Sequence, residues 1–198
     1  MKILKGPVQK EFVVKGSRFL GELFPCQTQT EAKNLVKEQK SKYSDATHVV
    51  HAFIIGLKAE VMGMSDDGEP AGTAGRPALD VLKGSGCTNI LLTVTRWFGG
   101  TLLGTGGLVK AYGDSAKLVL AEALNLNFLE EYIKKEEFSF SCDYGLFQQI
   151  KRLLPQWNVQ DVHEEFGSEI IVKGKVPAEN LDVMKNALKE LSNGKILL

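Results

Sequence analysis

The sequence predicts an α+β protein, built as two-layer α/β packing, with two domains at residues 1–127 and 128–198. Two observations predict it, and a third marks where the chemistry lies. The second stretch runs strand, helix, strand, strand, helix, strand, which is the split βαβ order of a ferredoxin-like domain. The chain changes character at Asn125-Leu126-Asn127, where a long helical pattern stops and an extended one starts. Eleven of the 20 glycines fall between Gly63 and Gly107, a concentration that calls for special backbone dihedrals or close approach to a partner.

The elements follow from pattern. Phe12-Val13-Val14 and Phe19 to Phe24 flank Lys15-Gly16-Ser17 and read as a strand pair ending at Pro25. Thr28 or Thr30 caps a helix to about Tyr43, with Ala32, Leu35 and Val36 on one face and Lys33, Lys37, Lys40 and Lys42 on the other. Ala46 to Ile55 is a strand. Its His48 and His51 are an odd number of positions apart, so they point to opposite faces and cannot chelate one ion. Ala59 to Met64 is a short strand and Pro77 to Leu82 a short helix. Asn89 to Thr95 contains Ile90-Leu91-Leu92-Thr93-Val94, nearly all apolar, as in a strand covered on both faces. Thr105 to Leu124 is a long helix with Leu108, Ala111, Tyr112, Ser115, Leu118, Val119 and Ala123 on its buried stripe.

In the second domain, Phe128 to Cys142 is extended, with a charged break at Lys134-Lys135-Glu136-Glu137. Gly145 to Leu154 is helical and stops before Pro155. Asn158 to Phe166 and Glu169 to Val176 are strands about a Gly167-Ser168 turn. Ala178 to Leu191 is a helix, and Lys195 to Leu198 a last short strand.

Composition narrows the function classes. Lys+Arg and Asp+Glu are both 24, so no global basicity points to nucleic acid. Residues 1–127 carry 15 basic and 12 acidic groups, net +3, and the remainder is net −3. Cys26, Cys87 and Cys142 are odd in number and lack CxxC spacing, which fits reduced thiols. The start lacks the apolar run of a signal peptide, and no stretch is apolar enough to span a bilayer. A cytoplasmic protein without membrane contact is expected.

Two loops carry the available chemistry. The first is acidic and offers Asp66, Asp67 and Glu69 within four residues. Such carboxylates could hold Mg²⁺, but the spacing is not that of an EF-hand. The plainer reading is a polar loop whose Asp side chains cap turns and the following helix. The second loop runs from a strand end through Gly99-Gly100 to Gly104-Thr105-Gly106-Gly107 and into a helix. A glycine-rich helix start exposes backbone N–H groups and the positive end of the helix dipole, which favours an anion. Arg96 and Lys110 could add charge there, and tight helix-on-sheet packing is the other reading. The motif is neither GxxxxGK[ST] nor GxGxxG. No nucleophile–base pair stands out.

Asp66-Asp67-Gly68-Glu69-Pro70-Ala71-Gly72-Thr73-Ala74-Gly75 and Arg96-Trp97-Phe98-Gly99-Gly100, followed by Leu103-Gly104-Thr105-Gly106-Gly107-Leu108-Val109, resemble the defining pattern of the IMPACT family, in its bacterial YigZ-like branch. Ala46-Thr47-His48 and Ser17-Arg18-Phe19 also match. The resemblance implies a first domain similar to domain 2 of small-subunit ribosomal protein S-five. It implies a second similar to domain V of elongation factor G. Eukaryotic relatives of this kind resemble translation regulators acting through protein contacts.

The expected role is therefore a translation-linked regulatory or binding protein, more a non-enzyme than an enzyme, gripping RNA, ribosome or a protein partner. The alternative is an enzyme that binds a phosphorylated or nucleotide-like small molecule with Mg²⁺. The candidate anion or partner site is Arg18, His48, Asp66, Asp67, Glu69, Arg96, Gly104, Thr105, Gly106, Gly107 and Lys110. No catalytic residue, metal ligand or cofactor is assigned.

Overall fold

In the computed structural model, which describes residues 1–196 and Leu198, the chain divides into the units Met1–Tyr132 and Ile133–Leu198. The first contains β1 (Lys2–Leu4), β2 (Val8–Val14), β3 (Ser17–Pro25), α1 (Gln29–Lys42), β4 (His48–Ile55), β5 (Val61–Ser65), α2 (Gly75–Ser85), β6 (Ile90–Trp97), α3 (Gly104–Asn125) and β7 (Leu129–Glu131). The second contains β8 (Lys135–Cys142), α4 (Tyr144–Leu153), a 3-10 turn at Leu154–Trp157, β9 (Gln160–Phe166), β10 (Ile170–Pro177) and α5 (Ala178–Leu191). This is the mixed α/β, two-domain architecture that the sequence predicts, with antiparallel sheets and five helices.

In the first unit the strands pair in the order β2-β3-β6-β4-β5, all antiparallel. The apolar run Ile90–Val94 is central and wholly buried, because helices cover both faces there. Period-two alternation divides its side chains between two cores. Ile90, Leu92 and Val94 join Phe19, Leu23, Val50, Ala52 and Ile54 beneath α2 and α3. Leu91 joins Phe53, Ile55, Cys26, Ala32 and Val36 beneath α1. Thr28 caps α1 through its side chain, as expected. On α3 the buried stripe includes Ala116 and Leu120, whereas Leu118 is exposed.

The boundary lies five residues later than the sequence suggests. The reason is β1, which pattern did not show: it pairs antiparallel with β7, Lys2 opposite Glu131 and Leu4 opposite Leu129.

In the second unit the sheet order is β8-β10-β9, antiparallel throughout. That is the order first, third, second of the strands in a ferredoxin-like domain. Its core combines Phe138, Phe140, Ile170, Val172 and Val176 with Phe147, Ile150, Met184 and Leu188 from the helices. The charged break expected at 134–137 is instead mostly strand. Lys135, Glu136 and Glu137 pair with Pro177, Val176 and Lys175, while the buried positions of β8 are Phe138, Phe140 and Cys142. The last strand expected at 195–198 includes Leu197, which lies outside the described residues; Lys195 and Ile196 are not in a strand.

Candidate functional site

The two unusual loops are held together by β4 and β6. His48 lies directly opposite Arg96 in the register. Both are on the sheet face that carries α2 and α3, since they share the parity of Val50 and Val94. Glu69 reaches this pair from the acidic loop and Tyr112 from α3. The Glu69 Oε1 accepts from Arg96 Nη1 at 2.6 Å and from the Tyr112 hydroxyl at 2.7 Å. Glu69 is 8% exposed, Arg96 5% and Tyr112 0%, so this is a buried charge pair with a neutral donor closing it. Burial, and then the neighbouring Glu69 carboxylate, push the Tyr112 hydroxyl pKa up, which keeps it a donor.

The remaining bonds fix the geometry. His48 Nδ1 is 2.7 Å from the Asp67 carbonyl oxygen. A carbonyl only accepts, so Nδ1 carries the hydrogen and Nε2 faces Glu69 Oε2 at 3.9 Å. Arg96 Nη2 donates to Ser17 Oγ at 3.4 Å, and among the described residues its Nε has no hydrogen-bond partner. The backbone N–H of Gly99 also donates to Ser17 Oγ, at 3.2 Å. A Cβ on Gly99 would stand 1.9 Å from the carbonyl carbon of Gly16, so the glycine loop and the β2–β3 turn meet backbone to backbone. Only glycine permits that approach.

Above this network opens a cleft of about 440 Å³, lined by Thr47, His48, Glu69, Pro70, Arg96, Phe98, Leu102, Leu103, Gly104, Thr105 and Leu108. The acidic loop and the glycine-rich loop thus share one cleft. Of the sequence candidates it gathers His48, Glu69, Arg96, Gly104 and Thr105.

The others lie outside the lining. Asp66 spends both oxygens on backbone: Oδ1 accepts from Ala74 N–H at 3.1 Å and Gly75 N–H at 2.8 Å, and Oδ2 from Gly72 N–H at 2.8 Å. Burial alone would raise its pKa, but these three bonds outweigh it and hold the carboxyl below its usual value. It caps α2, whose own N-cap residue Ala74 has no side-chain bond to give. Asp67 Oδ2 accepts from Val49 N–H at 2.7 Å and Oδ1 pairs with Lys40, tying the loop to β4 and α1. Arg18 stacks over the Trp97 ring at 3.7 Å. Lys110 is exposed and pairs with Asp114 at 2.8 Å. Gly106 and Gly107 sit in the first turn of α3 beside Thr105.

Tyr112 and Ser17 were not among the sequence candidates. The signal for Tyr112 was its phenol in an otherwise apolar stripe, since a buried tyrosine usually finds a partner for its hydroxyl. Among the described residues, no group of three or more His, Cys, Asp or Glu is placed to hold a metal ion. Among them too, no helix is long and apolar enough to cross a membrane.

The two loops match a known family. The Impact N-terminal domain covers residues 15–120, and a domain of unknown function, DUF1949, covers residues 140–195. The chain belongs to the IMPACT family. It is 33% identical to an IMPACT family member of Haemophilus influenzae, across 98% of this chain and 93% of that protein. It is 34% identical to the family member YigZ of Escherichia coli, across 97% and 93%. Among solved structures, one described as a hypothetical protein superposes with a TM-score of 0.68 at 32% identity, covering 98% of this chain and 94% of the other. Protein IMPACT of Homo sapiens is 29% identical over 60% of this chain, which spans 38% of that longer protein.

Proposed function

We propose that this chain is a cytoplasmic, translation-linked regulatory protein that holds its partner in the cleft between the acidic and glycine-rich loops. Membership of the IMPACT family supports the translation link, because its eukaryotic members resemble translation regulators. The observation that carries the site is the convergence of two distant loops on one cleft with a charge-balanced floor and an apolar rim. Leu102 is 82% exposed on that rim and Phe98 46%, an unusual use of large apolar side chains unless something covers them.

Of the partners expected from the sequence, a protein suits this surface better than RNA or the RNA of a ribosome. Arg96 is the one lysine or arginine lining the cleft, and Glu69 already neutralises it. The enzymatic alternative with Mg²⁺ draws less support, because Asp66 and Asp67 are engaged by backbone N–H groups and Lys40.

The test is binding of the full chain to purified translation factors by fluorescence anisotropy, and to purified ribosomes by co-sedimentation. The expected result is saturable binding to one of them that Leu102→Glu weakens about tenfold or more, at little cost in stability because the side chain is exposed. Binding to none of them, or binding indifferent to Leu102→Glu, overturns the proposal.

A further inference from the structure

Two hydrogen-bond acceptors on the cleft floor are left over once the buried network is complete. Glu69 Oε1 takes both Arg96 and Tyr112, and among the described residues Oε2 accepts no hydrogen bond. His48 gives its Nδ1 hydrogen to the Asp67 carbonyl, so Nε2 is left as a bare lone pair. The two atoms stand 3.9 Å apart, and two acceptors cannot bond to each other. Neither is among the partnerless polar atoms that are sealed from solvent, and both residues line the cleft. Glu69 is 8% exposed, and what its free oxygen meets is that cleft.

A donor nitrogen about 2.8 Å from both atoms would see them roughly 90° apart, which suits one group giving a hydrogen to each. Donors lie in the same lining. Thr47 and Thr105 line the cleft, and among the described residues their hydroxyls donate to nothing.

We infer that the cleft receives a primary carboxamide, the side chain of a glutamine or asparagine in a segment of a protein partner. The inference rests on the proposed function and specifies what its cleft recognises. The NH₂ bridges Glu69 Oε2 and His48 Nε2, and the carbonyl accepts from a threonine hydroxyl. Charge sets the other polar groups aside. Among the described residues, the charged side chains of the lining are Glu69 and Arg96, and they cancel. A carboxylate would bring no donor and would set its oxygens against Glu69 Oε2. An ammonium offers the threonine hydroxyls no acceptor, and a carboxylate already paired with Arg96 does not repay its desolvation. A neutral amide loses far less on leaving water. The apolar neighbour of the carboxamide rests on Phe98 and Leu102.

The experiment is an NMR titration of the ¹⁵N-labelled full chain, followed at the His48 ring nitrogens, with N-acetyl-leucyl-glutamine N-methylamide. The glutamate and lysine counterparts of that peptide and free glutamine are the comparisons. Without ligand at neutral pH, Nε2 should resonate as an unprotonated nitrogen; an imidazolium there overturns the inference. The expected result is saturable movement of Nε2 with the glutamine peptide, and binding about tenfold weaker or less for the other three. His48→Asn keeps a donor for the Asp67 carbonyl and removes the Nε2 acceptor. It should weaken the peptide about fivefold, with a melting midpoint within about 2 °C of wild type. If that variant does not fold, the ranking of the four ligands on wild type decides alone. A glutamate or lysine peptide that binds as tightly overturns the carboxamide. Tighter binding of free glutamine overturns the partner segment in favour of a small molecule. No saturable movement, or unaltered affinity in a folded His48→Asn, overturns the inference outright. A glutamine peptide that titrates in a protein that binds no translation factor or ribosome would sink the proposed function and leave this site standing. Factor binding that Leu102→Glu weakens, without preference for the glutamine peptide, would do the reverse.

Discussion

Glu69→Gln removes one charge of the buried pair and changes almost nothing else in volume. Two unit charges about 4 Å apart at an effective dielectric near 20 attract by about 4 kcal/mol. The desolvation of Arg96 is not recovered when its partner is neutralised, because the guanidinium stays under Phe19 and Phe98, 5.6 Å from each ring. The glutamine carbonyl still accepts from Arg96 or Tyr112, which returns about 1 kcal/mol. The net cost is about 3 kcal/mol, or a fall of about 10 °C in the midpoint of a unit this size. The chain has two tryptophans, Trp97 in the first unit and Trp157 in the second, so 5-fluorotryptophan labelling gives one ¹⁹F signal per unit. The fall should appear at Trp97. The triple variant Glu69→Met, Arg96→Met and Tyr112→Phe should recover most of it, since it leaves neither a charge to desolvate nor a buried hydroxyl without its acceptor. A fall below about 3 °C in Glu69→Gln, or a triple variant worse than the single one, would refute the account of a buried, mutually dependent pair.

Asp66→Asn should cost about 2 kcal/mol at neutral pH by weakening three backbone bonds at the start of α2. Because the folded carboxyl sits below its ordinary pKa, its contribution is present above about pH 4 and disappears as pH falls through the folded value. Urea midpoints measured from pH 6 down to pH 2 should therefore converge for wild type and Asp66→Asn; curves that stay parallel would contradict the cap. Gly99→Ala should cost more than about 3 kcal/mol, because the added methyl meets backbone rather than a movable side chain. A thermal midpoint within 2 °C of wild type would show that the Gly16 turn simply moves aside.

The fold was legible where the pattern is local. Ile90–Val94 advertised a strand covered on both faces, and the alternation in β8 and β10 together with α4 and α5 spelled out a ferredoxin-like unit. β1 was not legible, since three residues carry no period and its partner is more than 120 positions away. In the acidic loop, Asp66, Asp67 and Glu69 look alike on paper. Burial separates them, and burial comes from Arg96 and Tyr112, 27 and 43 positions further on. His48 and His51 show the opposite case: parity alone assigned them to different faces. Leu118 was misplaced because α3 buries a broad face, and a stripe drawn every three or four residues drifts off its centre.

The pairing of β1 with β7 has a consequence for how the first unit comes into being. Strand β1 is bridged on one side at Cys87, but its other edge stays open until residues 129–131 have emerged to pair with Lys2–Leu4. Until then, Leu4, which is buried in the finished fold, lacks its cross-strand partner Leu129. A fragment cut at residue 127 would leave that edge open for good, with the hazards of an unprotected strand. One that runs to Tyr132 would carry its own latch.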